Sequence, residues 1–143
     1  MDRDTLALLG ACTAGIELAV STMDGVLPRV KDQMLRRRLQ DGIRSHEDLL
    51  AQSRSLLQQW GGTEQHPSPV TVQLSRLRNS TRLALGRDDP TAAEVVADGC
   101  DLGVRHLCRS RNRYAGADHA AQYLTEQLIA CQENLSVSLR AFL

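Results

Sequence analysis

Residues 29–60 read RVKDQMLRRRLQDGIRSHEDLLAQSRSLLQQW, and this stretch decides the fold. One side of it reads Leu35, Leu39, Gly42, His46, Leu49, Ser53, Leu56 and Trp60, in alternating steps of four and three. That rhythm puts these residues on one face of an α-helix held in a bundle. Pro28 precedes the stretch, well placed at a first helical turn, and Gly61-Gly62 stands just past its end. At 1.5 Å per residue such a helix is a rod of about 45 Å. It sets the long axis for the rest of the chain.

Toward the N-terminus, Asp4 or Thr5 can cap a first helix running to about Asp24, with Leu6, Leu9, Cys12, Ile16, Ala19 or Val20, and Met23 turned inward. Asp24-Gly-Val-Leu-Pro28 closes it. A connection this short makes the first two helices antiparallel neighbours. Past Trp60, residues 61–69 are a loop by composition. Ser68-Pro69 then opens a shorter third helix to about Leu85, with Val70, Leu74, Leu77, Thr81 and Ala84 on one side. Gly86-Arg-Asp-Asp-Pro90 ends it, and Asp89 or Thr91 caps a fourth helix to about Tyr114; Thr91-Ala-Ala-Glu94 fits a capping box. The fourth helix carries Ala93, Val96, Cys100, Gly103, Leu107 and Tyr114 on its stripe. Arg105, Arg109, Arg111 and Arg113 crowd its last turns, where positive charge opposes the negative helix end. Gly116 and Asp118 mark a turn, and a fifth helix faces inward with Ala121, Leu124, Leu128, Cys131, Leu135, Leu139 and Phe142. There is no strand-like alternation and no internal repeat. The reading is a single all-α domain over residues 1–143, an up-down-down-up four-helix bundle with a short extra helix in the crossover connection.

Composition narrows the function. A chain of 143 residues can bury a real core. Seventeen basic residues balance seventeen acidic ones, so no whole-chain field attracts nucleic acid or an acidic membrane. The only aromatics are Trp60, Tyr114, Tyr123 and Phe142, too few for a base-stacking surface. No apolar run approaches 18 residues and Met1-Asp-Arg-Asp4 is no basic leader, so the chain reads as soluble and unexported. Cys12, Cys100, Cys108 and Cys131 show no zinc-finger spacing; reduced thiols in the cytoplasm are the expectation. Leu8, Leu18 and Ile129 fall off the stripes, and this second apolar face suggests a homo-oligomer, in the simplest case an isologous dimer.

The stretches Ala14-Gly-Ile-Glu17, Met34-Leu-Arg-Arg37, Trp60-Gly-Gly62, Leu83-Ala-Leu-Gly-Arg-Asp-Asp89 and Gly99-Cys-Asp101 resemble the ferritin-like superfamily. Within it they are similar to a bacterial family of uncharacterised four-helix proteins, a domain of unknown function. The resemblance spans nearly the whole chain and implies the fold, with little about activity. Gly99-Cys-Asp101 stands where that family has Gly-Glu-Asp.

Ferritin-like di-iron sites need a Glu from each of two helices and Glu-x-x-His from each of the other two. No Glu-x-x-His occurs in this sequence. Counting helical rise from the first turn puts Arg36, Arg37 and Arg38 at the level of Glu17, and Cys100 and Cys131 opposite each other. Only Glu17 remains of the ligand set, with Asp101 at the flank of its stripe; Glu126 and Glu133 point away from the core. Glu17 is either a boundary carboxylate paired with Arg37 or Arg38, or an altered metal ligand. Cys100 and Cys131 are either small apolar residues or a facing dithiol that oxidises or holds zinc or Cu(I) with Glu17 or Cys12. Such thiolates would need the nearby arginines to lower their pKa. His46, alone in its stripe, reads as a hydrogen-bonded core histidine at a height away from Glu17, and His66, His106 and His119 form no cluster. There is no nucleophilic triad spacing and no phosphate loop. The expectation is a bundle that binds or self-associates and leans away from enzyme chemistry, without a cofactor, with a metal ion at Glu17, Cys100 and Cys131 as the alternative.

Overall fold

The structure, a computed structural model, describes residues 2–62 and 88–143, and the short helix expected over 68–85 lies outside the described residues. Among the described residues the chain is all-helical and strandless: α1 spans Asp2–Val26, α2 Gln33–Gln59, α3 Asp89–Arg113 and α4 His119–Leu139. The last two are the fourth and fifth helices of the sequence reading. Short 3-10 turns follow α1 at Leu27–Arg29 and α4 at Arg140–Phe142.

Among the described residues, breaks fall after Val26, after Gln59 and between Arg113 and His119, near where the sequence reading set them, but the start of α2 and the capping residues differ. Pro28 sits in the 3-10 turn rather than in α2, which starts only at Gln33. Its cap is Asp32, whose Oδ1 accepts from the N–H groups of Met34 at 2.7 Å and Leu35 at 3.1 Å, two donors that a helix start leaves free. Asp88, rather than Asp89 or Thr91, caps α3 and accepts from Thr91 N–H at 3.0 Å. Asp118 caps α4 through Ala120 N–H at 3.0 Å. Gly61 leaves α2 with φ of +71°, a left-handed conformation that glycine adopts without a Cβ clash.

The freed acidic groups tie the helix ends together. Asp89 accepts from the N–H groups of Lys31 at 2.9 Å and Asp32 at 2.8 Å, fastening the α1–α2 corner to the start of α3. At the other end, Gly116 N–H donates to Asp4 Oδ2 at 3.2 Å and Asp118 N–H to Thr5 Oγ1 at 2.9 Å. Asp4 and Thr5 therefore lie inside α1 and pin the α3–α4 turn instead of capping. These contacts give the directions: α1 and α4 run one way, α2 and α3 the other. α1 packs beside α2 and α3, and α4 beside α3 and α2, with α4 also reaching α1 across the centre.

The α2 stripe is buried as read, at Leu35, Leu39, Gly42, His46, Leu49 and Ser53, but Leu57 is buried in place of Leu56, and Trp60, read as its last member, is half-buried against the core. A 3.6-residue helix drifts off a 3.5-residue repeat, and by the seventh turn the drift has brought the neighbouring position inward. α4 contacts all three other helices, so its buried face widens to include Thr125, Ile129, Gln132 and Ser136. Leu8, Leu18 and Ile129, the residues behind the expected dimer face, are buried within the chain. On α1 the same widening turns nearly two faces inward, toward α2 and toward α3. The segment Arg3–Arg29 is long and apolar enough to cross a membrane by length and composition, and half of its most apolar window is buried within the bundle.

The core is divided. One cluster joins Met23, Val26, Leu35, Leu39, Val96, Leu135 and Leu139 at the end holding the α1–α2 corner. A second joins Leu9, Ile16, Leu49, Leu57, Leu107, Leu124 and Leu128 toward the other end. Between them, on α2, α3 and α4, lie His46, Gly103 and Gln132.

Candidate functional site

This polar waist is where buried chemistry concentrates. His46 has no solvent exposure, and its Nδ1 lies 2.7 Å from Gly42 O, one turn back along α2. A carbonyl only accepts, so Nδ1 carries the proton and Nε2 presents a lone pair. Burial lowers the His46 pKa, with the Gly42 bond opposing, and the ring stays neutral. Nε2 meets no donor among the described residues. Gln132 is also enclosed, its amide laid against the α3 backbone: a Cβ at Gly103 would collide with Gln132 Oε1. Glycine at 103 makes room for the amide, yet Oε1 has no donor either, and the buried Thr22 Oγ1 is also unpartnered. Each such atom costs on the order of 1–3 kcal/mol when left dry.

The other buried polar groups are satisfied. Thr125 Oγ1 donates to Ala121 O at 2.8 Å and lies 3.2 Å from Cys12 Sγ, which is free to donate to it. Thr13 and Ser53 hydroxyls lie 2.8 Å apart across the α1–α2 seam, and both reach Leu9 O.

The Thr13–Ser53 pair also fixes the register of the hairpin and corrects the expected heights. Glu17 lies at the level of the middle of α2, not of Arg36, Arg37 and Arg38. The 3-10 turn prolongs α1, so the chain reverses only at about Val30–Asp32. Glu17 is about half exposed and pairs with Arg54 at 3.4 Å; it faces away from the waist. His46 is correspondingly closer to its level than helix counting gave.

Cys131, half-buried beside Gln132, places Sγ 3.8 Å from His46 Nδ1. Cys100 is buried, near enough to Cys131 for the two to repel when charged. Burial pushes the Cys100 thiol up to about 12, with Asp101 and Cys131 adding, and raises Cys131 as well; Cys12 goes up to about 11. The arginines therefore do not lower these values as a reactive dithiol requires. Asp101 is exposed and accepts from Ser136 Oγ at 2.8 Å, while Glu126 and Glu133 face solvent. Among the described residues no three His, Cys, Asp or Glu side chains converge as metal ligands. The site expected from Glu17, Cys100 and Cys131 is not assembled as a set of three: the two thiols are within electrostatic range of each other, and Glu17 is turned outward to Arg54. His66 lies outside the described residues.

A cleft reaches the waist from the α1–α3 side. Its walls include Ala11, Gly15 and Ala19 on α1 and Gly99 and Gly103 on α3, with Leu18 and Leu107 beside them. Thr22, Cys100 and Gln132 line it too, as do the half-buried His106 and Ser110. Its free volume is about 20 Å³, little more than one water needs. Burial lowers the His106 pKa and the nearby Arg109 guanidinium adds to this, so the imidazole at the mouth is itself neutral near pH 7. Sequence reasoning missed Gln132, hidden by its outward-facing neighbour Glu133, and missed the cleft. Its signal was the four-residue spacing of Ala11, Gly15 and Ala19 opposite Gly99 and Gly103.

Comparison with known family models, curated proteins and solved structures finds no match to this chain.

Proposed function

We propose that the chain is a ferritin-like bundle that works by binding or self-association in the cytoplasm rather than by catalysis. The observation that carries this reading is the waist. At the middle of the bundle it presents an imidazole, an amide and thiols, two of its polar atoms have no partner, and no carboxylate converges there among the described residues. A di-iron pair does not fit. Hard iron needs several anionic oxygens with imidazole, Glu17 faces outward to Arg54, and the sequence holds no Glu-x-x-His. The helix directions and neighbours support the up-down-down-up ferritin-like order. Metal analysis of the purified protein tests the reading: about two iron atoms per chain with ferroxidase activity would refute it. Native mass spectrometry is expected to show a bound non-metal guest or a homodimer, and a bare monomer at all concentrations would count against both modes.

A second reading rests on one distance, the 3.8 Å between Cys131 Sγ and His46 Nδ1, with Cys100 nearby. A soft ion such as zinc or Cu(I) takes thiolate and imidazole together, displacing the Cys131 proton and the Gly42 bond. Zinc or copper copurifying at one per chain, and lost in Cys131→Ser, would establish it; metal-free protein with native-state thiols unreactive would end it.

A further inference from the structure

We infer that the α1–α3 cleft is a binding site for a small neutral amphiphile carrying a single hydroxyl, an aliphatic alcohol, with that hydroxyl between Thr22 and Gln132. The inference deepens the binding reading and rests on it. Two features on separate helices meet in the cleft. Its walls are apolar and small, since Ala11, Gly15, Ala19, Gly99 and Gly103 bring little or no side chain. Inside it lie Thr22 and Gln132, 5% and 2% exposed, each with an oxygen that nothing among the described residues satisfies.

The chemistry of these two groups selects the ligand. Thr22 Oγ1 both donates and accepts; Gln132 Oε1 accepts, and its amide presents a donor instead if turned over. A hydroxyl donates and accepts at once, so it matches either orientation. At the buried end a carboxylate would bring its charge against Gln132 Oε1 with no Arg or Lys in the lining, Arg109 lying out beside His106, and an ammonium would meet no carboxylate in the lining. The free volume of about 20 Å³ accommodates the hydroxyl itself. The alkyl chain then runs outward along Gly15 and Gly99, past Leu18 and Leu107. Gly15 leaves that path open: a Cβ there would touch only Leu107 Cδ2, at 3.9 Å.

The test is an amide NMR titration of the full chain with 1-propanol, 1-butanol and 1-pentanol, and with pentanoate and pentylammonium as charged controls. Saturable shifts are expected at Gly15, Gly99 and Gly103, with affinity rising up to about fourfold per methylene, and none with either charged control. Gly15→Leu replaces a glycine by a better helix former and fills the path, so the shifts at Gly99 and Gly103 should vanish. Gln132→Leu should weaken 1-pentanol about fivefold, the equivalent of one hydrogen bond. Absent or unsaturable shifts, equal shifts with pentanoate, or binding unchanged in Gly15→Leu would overturn the inference. If alcohols fail while native mass spectrometry shows another guest or a homodimer, the inference falls and the broader reading stands.

Discussion

Replacing His46 by leucine should make the protein more stable, and the gain should grow as the pH falls. In the native state His46 Nε2 is buried without a partner, which costs about 1–3 kcal/mol. Its Nδ1–H bond to Gly42 O returns about 1 kcal/mol, and losing that bond strands nothing, because Gly42 O still accepts the helical N–H of residue 46. Leucine is of similar volume and lies between two aliphatic clusters, so repacking should cost less than about 1.5 kcal/mol. The net expectation at pH 7.5 is a gain of up to about 1 kcal/mol, or up to roughly 4 °C in Tm, as the repacking cost goes to zero. The pH dependence has a definite sign. The folded pKa lies below the ordinary histidine value of about 6.5, so between the two values the unfolded chain holds more protons. The neutral ring's contribution is whole above about pH 6.5 and is lost as the pH falls toward the folded pKa, at up to about 1.4 kcal/mol per pH unit. Urea unfolding of both proteins at pH 7.5, 6.5 and 5.5 measures this, and His106, which shifts in the same direction, cancels in the difference. Leucine destabilising by more than 1 kcal/mol at pH 7.5, or two parallel curves down to pH 5.5, would refute the reasoning.

Gly42 sits where α1, α2 and α4 meet, and an added Cβ would lie 3.0 Å from Met23 Sδ and 3.2 and 3.3 Å from the Leu135 methyls. Gly42→Ala gains about 1 kcal/mol of helix propensity against about 1–3 kcal/mol of crowding, so urea unfolding should show a loss near 1 kcal/mol, and Gly42→Leu one above about 3 kcal/mol. Asp89→Ala removes two bonds at the α1–α2 corner and should lower Tm through a loss of about 1–2 kcal/mol, of which Asp89→Asn should recover part. With the Cys12 and Cys100 thiols pushed up to about 11 and about 12, a disulfide reagent at pH 8 should modify them only on unfolding. Rapid native-state modification of Cys100 would restore the dithiol reading.

Much of the fold was legible because its signals are local. Gly61-Gly62 and the prolines mark the breaks, and the steps of four and three along α2 name its buried face nearly residue by residue. Heights across the bundle were not legible, because they depend on where the chain reverses. Six residues, Leu27 to Asp32, form a 3-10 turn and a cap, and reading the reversal at Asp24–Pro28, with the second helix begun at Arg29, moved the expected partner of Glu17 from Arg54 to Arg37 or Arg38, more than four turns away. The same slip kept His46 from being placed near that level. Asp4, Thr5 and Asp89 have the chemistry of caps, and in the fold that chemistry serves neighbouring chain segments instead. On α1 and α4 the inward faces are wider than one heptad seam, which is why Leu8, Leu18 and Ile129 looked like a spare surface.

The α1–α3 seam is fastened at both extremities, by Asp89 on the first corner and by Asp4 and Thr5 on the last turn. Anything that loosens it without unfolding the protein must therefore bow the two rods apart at mid-length, as a slot opens in a strip held at its ends. A guest reaching Gln132 would then come sideways rather than axially, between the small residues Gly15, Ala19, Gly99 and Gly103 that lie between the two fastenings.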